Sequence, residues 1–159
     1  MNFIEKVKAT AQIRLYAFLY IPLLWWVRPT LVENSEKNTI LKIPLCRRTK
    51  NHLGVMYFGA LAMGAEAAVA IRAIKVIQTS RRKVDFIFKD FHADFLKRAE
   101  GDVFFTCEQG PRVQALVEKC IQSNQRETET FESYATVPSE NPTEKVATFK
   151  VTLSVKLRK

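Results

Sequence analysis

The groups best suited to chemistry lie in one stretch, Asn51-His52-Leu53-Gly54-Val55-Met56-Tyr57-Phe58-Gly59-Ala60, followed by Glu66. A basic loop containing Arg47, Arg48 and Lys50 runs into it and then into the first turn of an apolar helix, expected over residues 58–78. The first turn of a helix carries unpaired N–H groups and the positive end of the helix dipole, a combination that suits an oxyanion. Two turns on, Glu66 stands alone among Ala and Val. An unpaired carboxylate in apolar surroundings is costly while charged, so its pKa should rise, which suits a general base or a nucleophile. The structural alternative for Glu66 is an ion pair with a basic residue across an interface.

Other candidates are fewer. His52, next to Asn51, is a second base of interest. A Cys46–His52 dyad fits on paper, whereas Cys46 on its own reads as a buried strand cysteine. His92 reads as a sheet or surface histidine. With two histidines in the chain a three-His zinc centre is excluded, and the sequence has no CxxC, GxSxG, P-loop or HExxH, so no metal site is expected.

The elements that must position these groups follow from periodicity. Thr30–Glu33 and Thr39–Cys46 read as short strands around the turn formers Asn34 and Ser35. Lys83–Arg98 begins with Val84, Phe86 and Phe88 on one face, and the alternation slips near Phe91, which predicts a bulge. Glu100-Gly101-Asp102 reads as a hairpin turn into a strand over Val103–Glu108. A short helix starts at Gly110-Pro111, with Val113, Leu116, Val117, Cys120 and Ile121 on one stripe. A Thr-rich strand over Arg126–Val137 and a strictly alternating one from Ala147 to Leu157 complete the set. The layout is α+β, a largely antiparallel sheet on one long helix, which lacks a polar stripe and so should be covered on all sides.

Length and charge set the remaining bounds. At 159 residues, with 47% hydrophobic and 26% charged residues, the chain matches one globular domain. The net charge of +9 favours an anionic partner. No nucleic-acid motif accompanies it, so nucleic acid is not expected. Three widely spaced cysteines need no disulfide framework, and a cytoplasmic location follows as the simplest expectation. Leu15–Val27 is uncharged but short and broken by Pro22, and no small-residue cleavage site follows it. Residues 1–29 are therefore expected to form an amphipathic helix and an apolar connector, ahead of a domain over residues 30–159. Contact of this basic, Trp-bearing segment with a membrane surface is a further reading.

The string from Asn51 to Glu66 resembles the hotdog-fold acyl-CoA thioesterases, in particular the PaaI-like branch. The pattern there is Asn-x-x-Gly-x-x-His-Gly-Gly with an acidic residue fifteen positions after the Asn. This sequence has Asn51, Gly54, Tyr57, Phe58 and Gly59, with Glu66 at that offset. The resemblance implies a hotdog fold: a curved antiparallel sheet wrapped around one long apolar helix. It implies hydrolysis of an acyl-CoA thioester with no cofactor, coenzyme A entering as part of the substrate. Glu66 would be the general base or nucleophile, and Asn51 would orient the water or the thioester. The Phe58 N–H would be the oxyanion donor, and Gly59 would permit close approach. Tyr57 and Gly54 would line the substrate side. Arg47, Arg48 and Lys50, or alternatively Arg81, Arg82 and Lys83, would meet the phosphates of coenzyme A. The resemblance also implies a homodimer, or a dimer of dimers, with shared sites. The departures from the pattern are Tyr57 for His and Phe58 for Gly. They leave room for a non-catalytic acyl-CoA or lipid-binding hotdog protein, or for a dehydratase using His52 and Glu66.

Overall fold

In the computed structural model, which describes residues 2–158, two N-terminal helices precede the sheet: α1 (Phe3–Tyr20) and α2 (Pro22–Trp26). Then follow β1 (Thr30–Asn34), β2 (Thr39–Ile43), α3 (Phe58–Ser80), β3 (Val84–Phe95), β4 (Val103–Cys107), α4 (Gly110–Ser123), β5 (Glu127–Val137) and β6 (Asn141–Leu157). The six strands form one curved antiparallel sheet in the order β1-β2-β4-β5-β6-β3, with α3 against its inner face: a hotdog fold.

α3 lies close to the sheet because its contact face is built from the smallest residues. A Cβ on Gly64 would fall 2.3 Å from the ring of buried Phe105 on β4, so only glycine permits this approach. Ala65, Ala68 and Ala73, all fully buried, continue that face along the helix. Phe105 in turn packs on Phe149 of β6, with ring centroids 6.3 Å apart.

β3 keeps its aromatic side chains on the helix side by changing register once. Phe86 and Phe88 face inward, the register shifts between Phe88 and Asp90, and Phe91 and Phe95 then take over the inward positions, both rings against Phe149. This is the bulge that the slipping alternation predicts.

Three expectations are corrected. Glu100-Gly101-Asp102 is not a hairpin turn. β3 pairs with β6 at one edge while β4 pairs with β2 and β5 inside the sheet, so residues 96–102 form a crossover. Asp102 serves that crossover by tying it to β2, accepting from Lys42 Nζ at 3.0 Å and Leu45 N–H at 2.9 Å. Cys46 is not a buried strand cysteine. β2 ends at Ile43, before Pro44, and Cys46 lies partly exposed in the turn that follows. Finally, α3 is not covered on all sides, because Phe58 and Glu66 are exposed along one flank.

The N-terminal helix guards the β1 edge. Its capping box pairs Asn2 with Glu5. Thr10 Oγ1 accepts from the Leu31 N–H of β1 at 3.1 Å, and Arg14 Nε donates to the Pro29 carbonyl at 2.9 Å. Ala9 and Ile13 pack on Leu31, Leu41, Ala67 and Ile71. The segment expected as a connector is itself helical, with Pro22 opening α2 in the first turn, where its missing N–H costs nothing.

Candidate functional site

The chain enters α3 through a tightly held loop. Buried Thr49 is its anchor: its hydroxyl accepts from Cys46 N–H at 2.9 Å and donates to the Pro44 carbonyl at 2.6 Å. The Thr49 carbonyl then accepts from Tyr57 N–H at 2.7 Å, and Met56 N–H donates to the Ala99 carbonyl at 2.9 Å. Between these anchors, residues 51–54 make a turn closed by Gly54 N–H on the Asn51 carbonyl. Gly54 has φ +83°, and a Cβ there would meet nothing within 4 Å. Its requirement is therefore conformational, since L residues rarely adopt that φ.

Asn51 sits half-buried at the start of this turn. Its Oδ1 accepts from Leu53 N–H at 2.9 Å, which fixes the side chain and leaves the Nδ2 hydrogens without an acceptor among the described residues. His52 and Leu53 are exposed at the turn's tip. Cys46 and His52 make no hydrogen bond with each other. Desolvation alone would raise the Cys46 thiol, but the backbone of Arg48 and the groups of Thr49 outweigh it and hold the thiol below its usual range.

Tyr57 caps α3 without a side-chain hydrogen bond. Its carbonyl accepts from the N–H groups of Ala60 and Leu61, and the N–H groups of Phe58 and Gly59 have no acceptor among the described residues. The Tyr57 ring lies across this first turn: a Cβ on Gly59 would fall 2.4 Å from Tyr57 Cε1. Phe58 is exposed and touches the Tyr57 ring at a centroid distance of 4.8 Å and the Phe95 ring of β3 at 6.4 Å.

Glu66 is exposed on the open flank of α3, among the apolar residues of its helix. It makes no hydrogen bond or ion pair with the described residues. Desolvation is the one cause acting on it, and it pushes the carboxyl above its ordinary value of 4.5. Eight residues separate it from Phe58, about 12 Å along the helix axis.

Asn51, Gly54, Tyr57, Phe58 and Gly59 thus come together around the start of α3, with Glu66 farther along the same flank. The basic residues divide. Arg47, Arg48 and Lys50 are exposed in the entry loop, and the Arg48 guanidinium stacks on Trp26 of α2 at 4.6 Å. Arg81 and Arg82 lie at the opposite end of α3, where Arg81 is its left-handed cap with φ 54°. One subunit cannot bring both clusters to one ligand phosphate. Sequence reasoning missed Phe91 and Phe95, which extend an exposed aromatic strip from Phe58 along β3. The signal was present in the spacing of Phe86, Phe88, Phe91 and Phe95 once the bulge is counted. A separate groove of about 350 Å³ on the outer face of the sheet, lined by Glu108, Tyr134, Lys145 and Lys150 among others, lies across the sheet from α3. Its charges already pair or stack with one another.

No helix is long and apolar enough to cross a membrane among the described residues. The chain's fold is shared by solved structures of low sequence identity. A crystal structure from Chlorobaculum tepidum, of unknown function, matches with a TM-score of 0.79 at 11% identity, covering 96% of this chain and 97% of that one. A Shewanella oneidensis protein with a provisional thioesterase name matches with a TM-score of 0.77 at 12% identity, covering 94% and 98%. A mutant thioesterase from Pseudomonas aeruginosa matches with a TM-score of 0.69 at 13% identity, covering 94% of each. Searched by sequence, curated proteins give no match. Residues 9–155 match the family described as a domain of unknown function, DUF4442, and with nearly the whole hotdog fold inside that match the chain belongs to this family.

Proposed function

We propose that the protein hydrolyses a thioester of coenzyme A, in the manner of the PaaI-like thioesterases, and that it does so in a reducing compartment such as the cytoplasm. The observation that carries this reading is Glu66: a carboxylate raised by desolvation, with no partner among the described residues, on the same open flank as the N–H groups of Phe58 and Gly59, which likewise have no acceptor there. Water attacks the thioester carbonyl while Glu66 takes its proton, and collapse of the tetrahedral intermediate breaks the C–S bond, releasing the acid and the coenzyme A thiolate, which takes up that proton. The charge that develops on oxygen is met by the Phe58 N–H at the positive end of the α3 dipole. The Asn51 Nδ2 hydrogens are free to orient the carbonyl or the water. Three unpaired thiols accord with a reducing compartment.

The resemblance to the hotdog thioesterases implies that each site is shared between two subunits, and we carry that sharing over to this chain. With water as the nucleophile, the carbonyl must lie about 3 Å from its oxyanion donor and from that water, and the water about 3 Å from Glu66. Within one chain Phe58 and Glu66 are about 12 Å apart along the helix axis, at the far limit of what a glutamate side chain and one water can bridge. A two-fold axis beside the open flank of α3 would bring Glu66 of one subunit to Asn51 and Phe58 of the other. The β3 edge, exposed and carrying Ile87, Phe91 and Phe95, is a surface for such a pair.

A panel of acyl-CoA esters read with a thiol reporter tests the reaction. Turnover of at least one ester is expected, and tight binding of every ester without turnover would make this an acyl-CoA-binding protein instead. Subunit mixing tests the sharing. Asn51→Ala and Glu66→Gln subunits are each inactive, but a random mixture contains hybrids with one intact site and should regain about a quarter of wild-type activity. Activity staying at the level of the single variants, with exchange confirmed by mass-tagged subunits, refutes the shared site.

A further inference from the structure

α1 has two apolar faces, and the fold uses one. Ala9, Ile13 and Ala17 turn toward β1 and α3, together with Thr10 and Arg14, which are tied to that edge by hydrogen bonds. On the other side Ile4, Val7, Ala11, Leu15 and Phe18 recur at intervals of three and four, which places them on one stripe of the helix. That stripe faces solvent: Ile4 is 63% exposed, Leu15 60% and Phe18 54%. At its C-terminal end Phe18 packs edge-on against Trp25 of α2 at 5.3 Å, Trp25 touches Trp26 at 6.5 Å, and Arg48 stacks on Trp26. The apolar stripe therefore continues without a break into an aromatic elbow that ends in a guanidinium.

The charge around this surface has one sign. Residues 1–28 carry Lys6, Lys8, Arg14 and Arg28 against a single carboxylate, Glu5, and Glu5 is engaged in the capping box. Lys8 and Arg28 are exposed. A helix lying flat with an exposed apolar stripe, tryptophans at one end and cations beside it has the features of an interfacial helix. The tryptophan ring, apolar with a polar N–H, favours the headgroup level. α1 covers the β1 edge, the opposite end of the sheet from β3, so a second copy joined along β3 leaves this surface open.

We propose that the outer stripe of α1 and the Trp25–Trp26 elbow dock on an anionic lipid bilayer surface. The apolar side chains enter the headgroup boundary, and Lys8 and Arg28 meet lipid phosphates and carboxylates. Apart from Arg48 of the entry loop, the inference uses none of the residues around the start of α3, so it does not depend on the hydrolytic reading.

Trp25 and Trp26 are the only tryptophans, so their emission reports this surface without a label. The full chain is titrated with vesicles of phosphatidylcholine containing phosphatidylserine, and with vesicles of phosphatidylcholine alone. Co-sedimentation with the anionic vesicles is expected, accompanied by a blue shift of emission and weakened by added salt. The exposed double substitution Leu15→Gln with Phe18→Gln should reduce binding by at least about tenfold. Lys8→Glu, which leaves the apolar stripe whole, should weaken binding to anionic vesicles and leave neutral ones unaffected. Absence of binding to anionic vesicles overturns the proposal, as does equal binding to both vesicle types. So does a Leu15→Gln, Phe18→Gln variant that keeps full affinity. A fall in the solution mass of that double variant would show instead that the stripe is a contact between copies of this chain.

Discussion

Asp102 and Glu66 are both carboxylates beside the same sheet, and the molecule treats them in opposite ways. Asp102 sits where the crossover between β3 and β4 meets β2. Desolvation would raise it, but the hydrogen bonds from Lys42 and from Leu45 N–H outweigh that effect and hold it below its ordinary value of 3.8. Glu66 stands on the open flank of α3 with no partner among the described residues, and desolvation alone acts on it, upward. A carboxylate that ties two segments together is stabilised in its charged form. A carboxylate kept unpaired is held ready to take a proton, at a cost to the fold. The comparison separates a position that serves structure from one whose unpaired carboxylate we propose serves chemistry.

The largest expected effect falls on Glu66. Glu66→Gln keeps the shape and removes the base, so hydrolysis should fall by about 10²–10⁴-fold while the far-UV spectrum and melting transition persist. An active variant breaks the assignment, and an unfolded one shows that the carboxylate serves structure after all.

The next test sharpens the comparison along α3 itself. Gly64 and Gly59 both lie where a Cβ would strike an aromatic ring, but Phe105 is fully buried and Tyr57 is half exposed. Gly64→Ala must push α3 off the sheet and should cost about 1–3 kcal/mol. For a chain of this length each kcal/mol lowers the melting temperature by roughly 2–4 °C. In Gly59→Ala the Tyr57 ring swings into solvent, and the added helix propensity offsets the disturbance by up to about 1 kcal/mol. Its melting temperature should hold while turnover falls. If both variants melt equally early, Tyr57 is fixed in place and the flank is less free than its exposure suggests.

These contrasts also mark what the sequence discloses. The alternation from Ala147 to Leu157 and the apolar run beginning at Phe58 are legible because their periods match a strand and a helix, although the polar face of the strand is buried as well at Thr152 and Ser154; the helix merely extends to Ser80. The slip near Phe91 is legible as a bulge because one extra residue resets an alternating pattern. The Glu100-Gly101-Asp102 turn misleads because turn residues report a local reversal, whereas the identity of the next paired strand depends on which edges are already taken. Cys46 misleads for a related reason, since Pro44 ends the strand before the cysteine is reached. The isolation of Glu66 among Ala and Val is visible in the chain. The Tyr57 ring over Gly59 and the Arg48 guanidinium on Trp26 are not, because they depend on how the entry loop folds back.

The smallest expected effect is also the one that tests the two carboxylates against each other. Asp102→Ala removes an ion pair whose members are partly exposed, so at neutral pH it should cost only about 1 kcal/mol. Glu66→Gln should do the reverse and melt slightly above wild type, because it relieves an unpaired charge. The pH dependence follows from linkage. A group whose pKa is lowered by folding contributes stability above its unfolded value and loses it as pH falls through the folded one. Asp102 is such a group, so the deficit of Asp102→Ala should be full at neutral pH and should close on acidification below 3.8. A group whose pKa is raised by folding favours the native state while protonated, and that advantage is lost as pH rises through the folded value. Glu66 is of this kind. The excess stability of Glu66→Gln should therefore appear only above pH 4.5 and vanish below it, where the wild-type side chain is already neutral. The same upward shift places the acid limb of hydrolysis above pH 4.5, since the base works only when ionised. Parallel melts of wild type and both variants across this range read the two gaps directly. A Glu66→Gln gap that is negative at neutral pH would mean that the carboxylate has a stabilising partner and that its charge belongs to the fold.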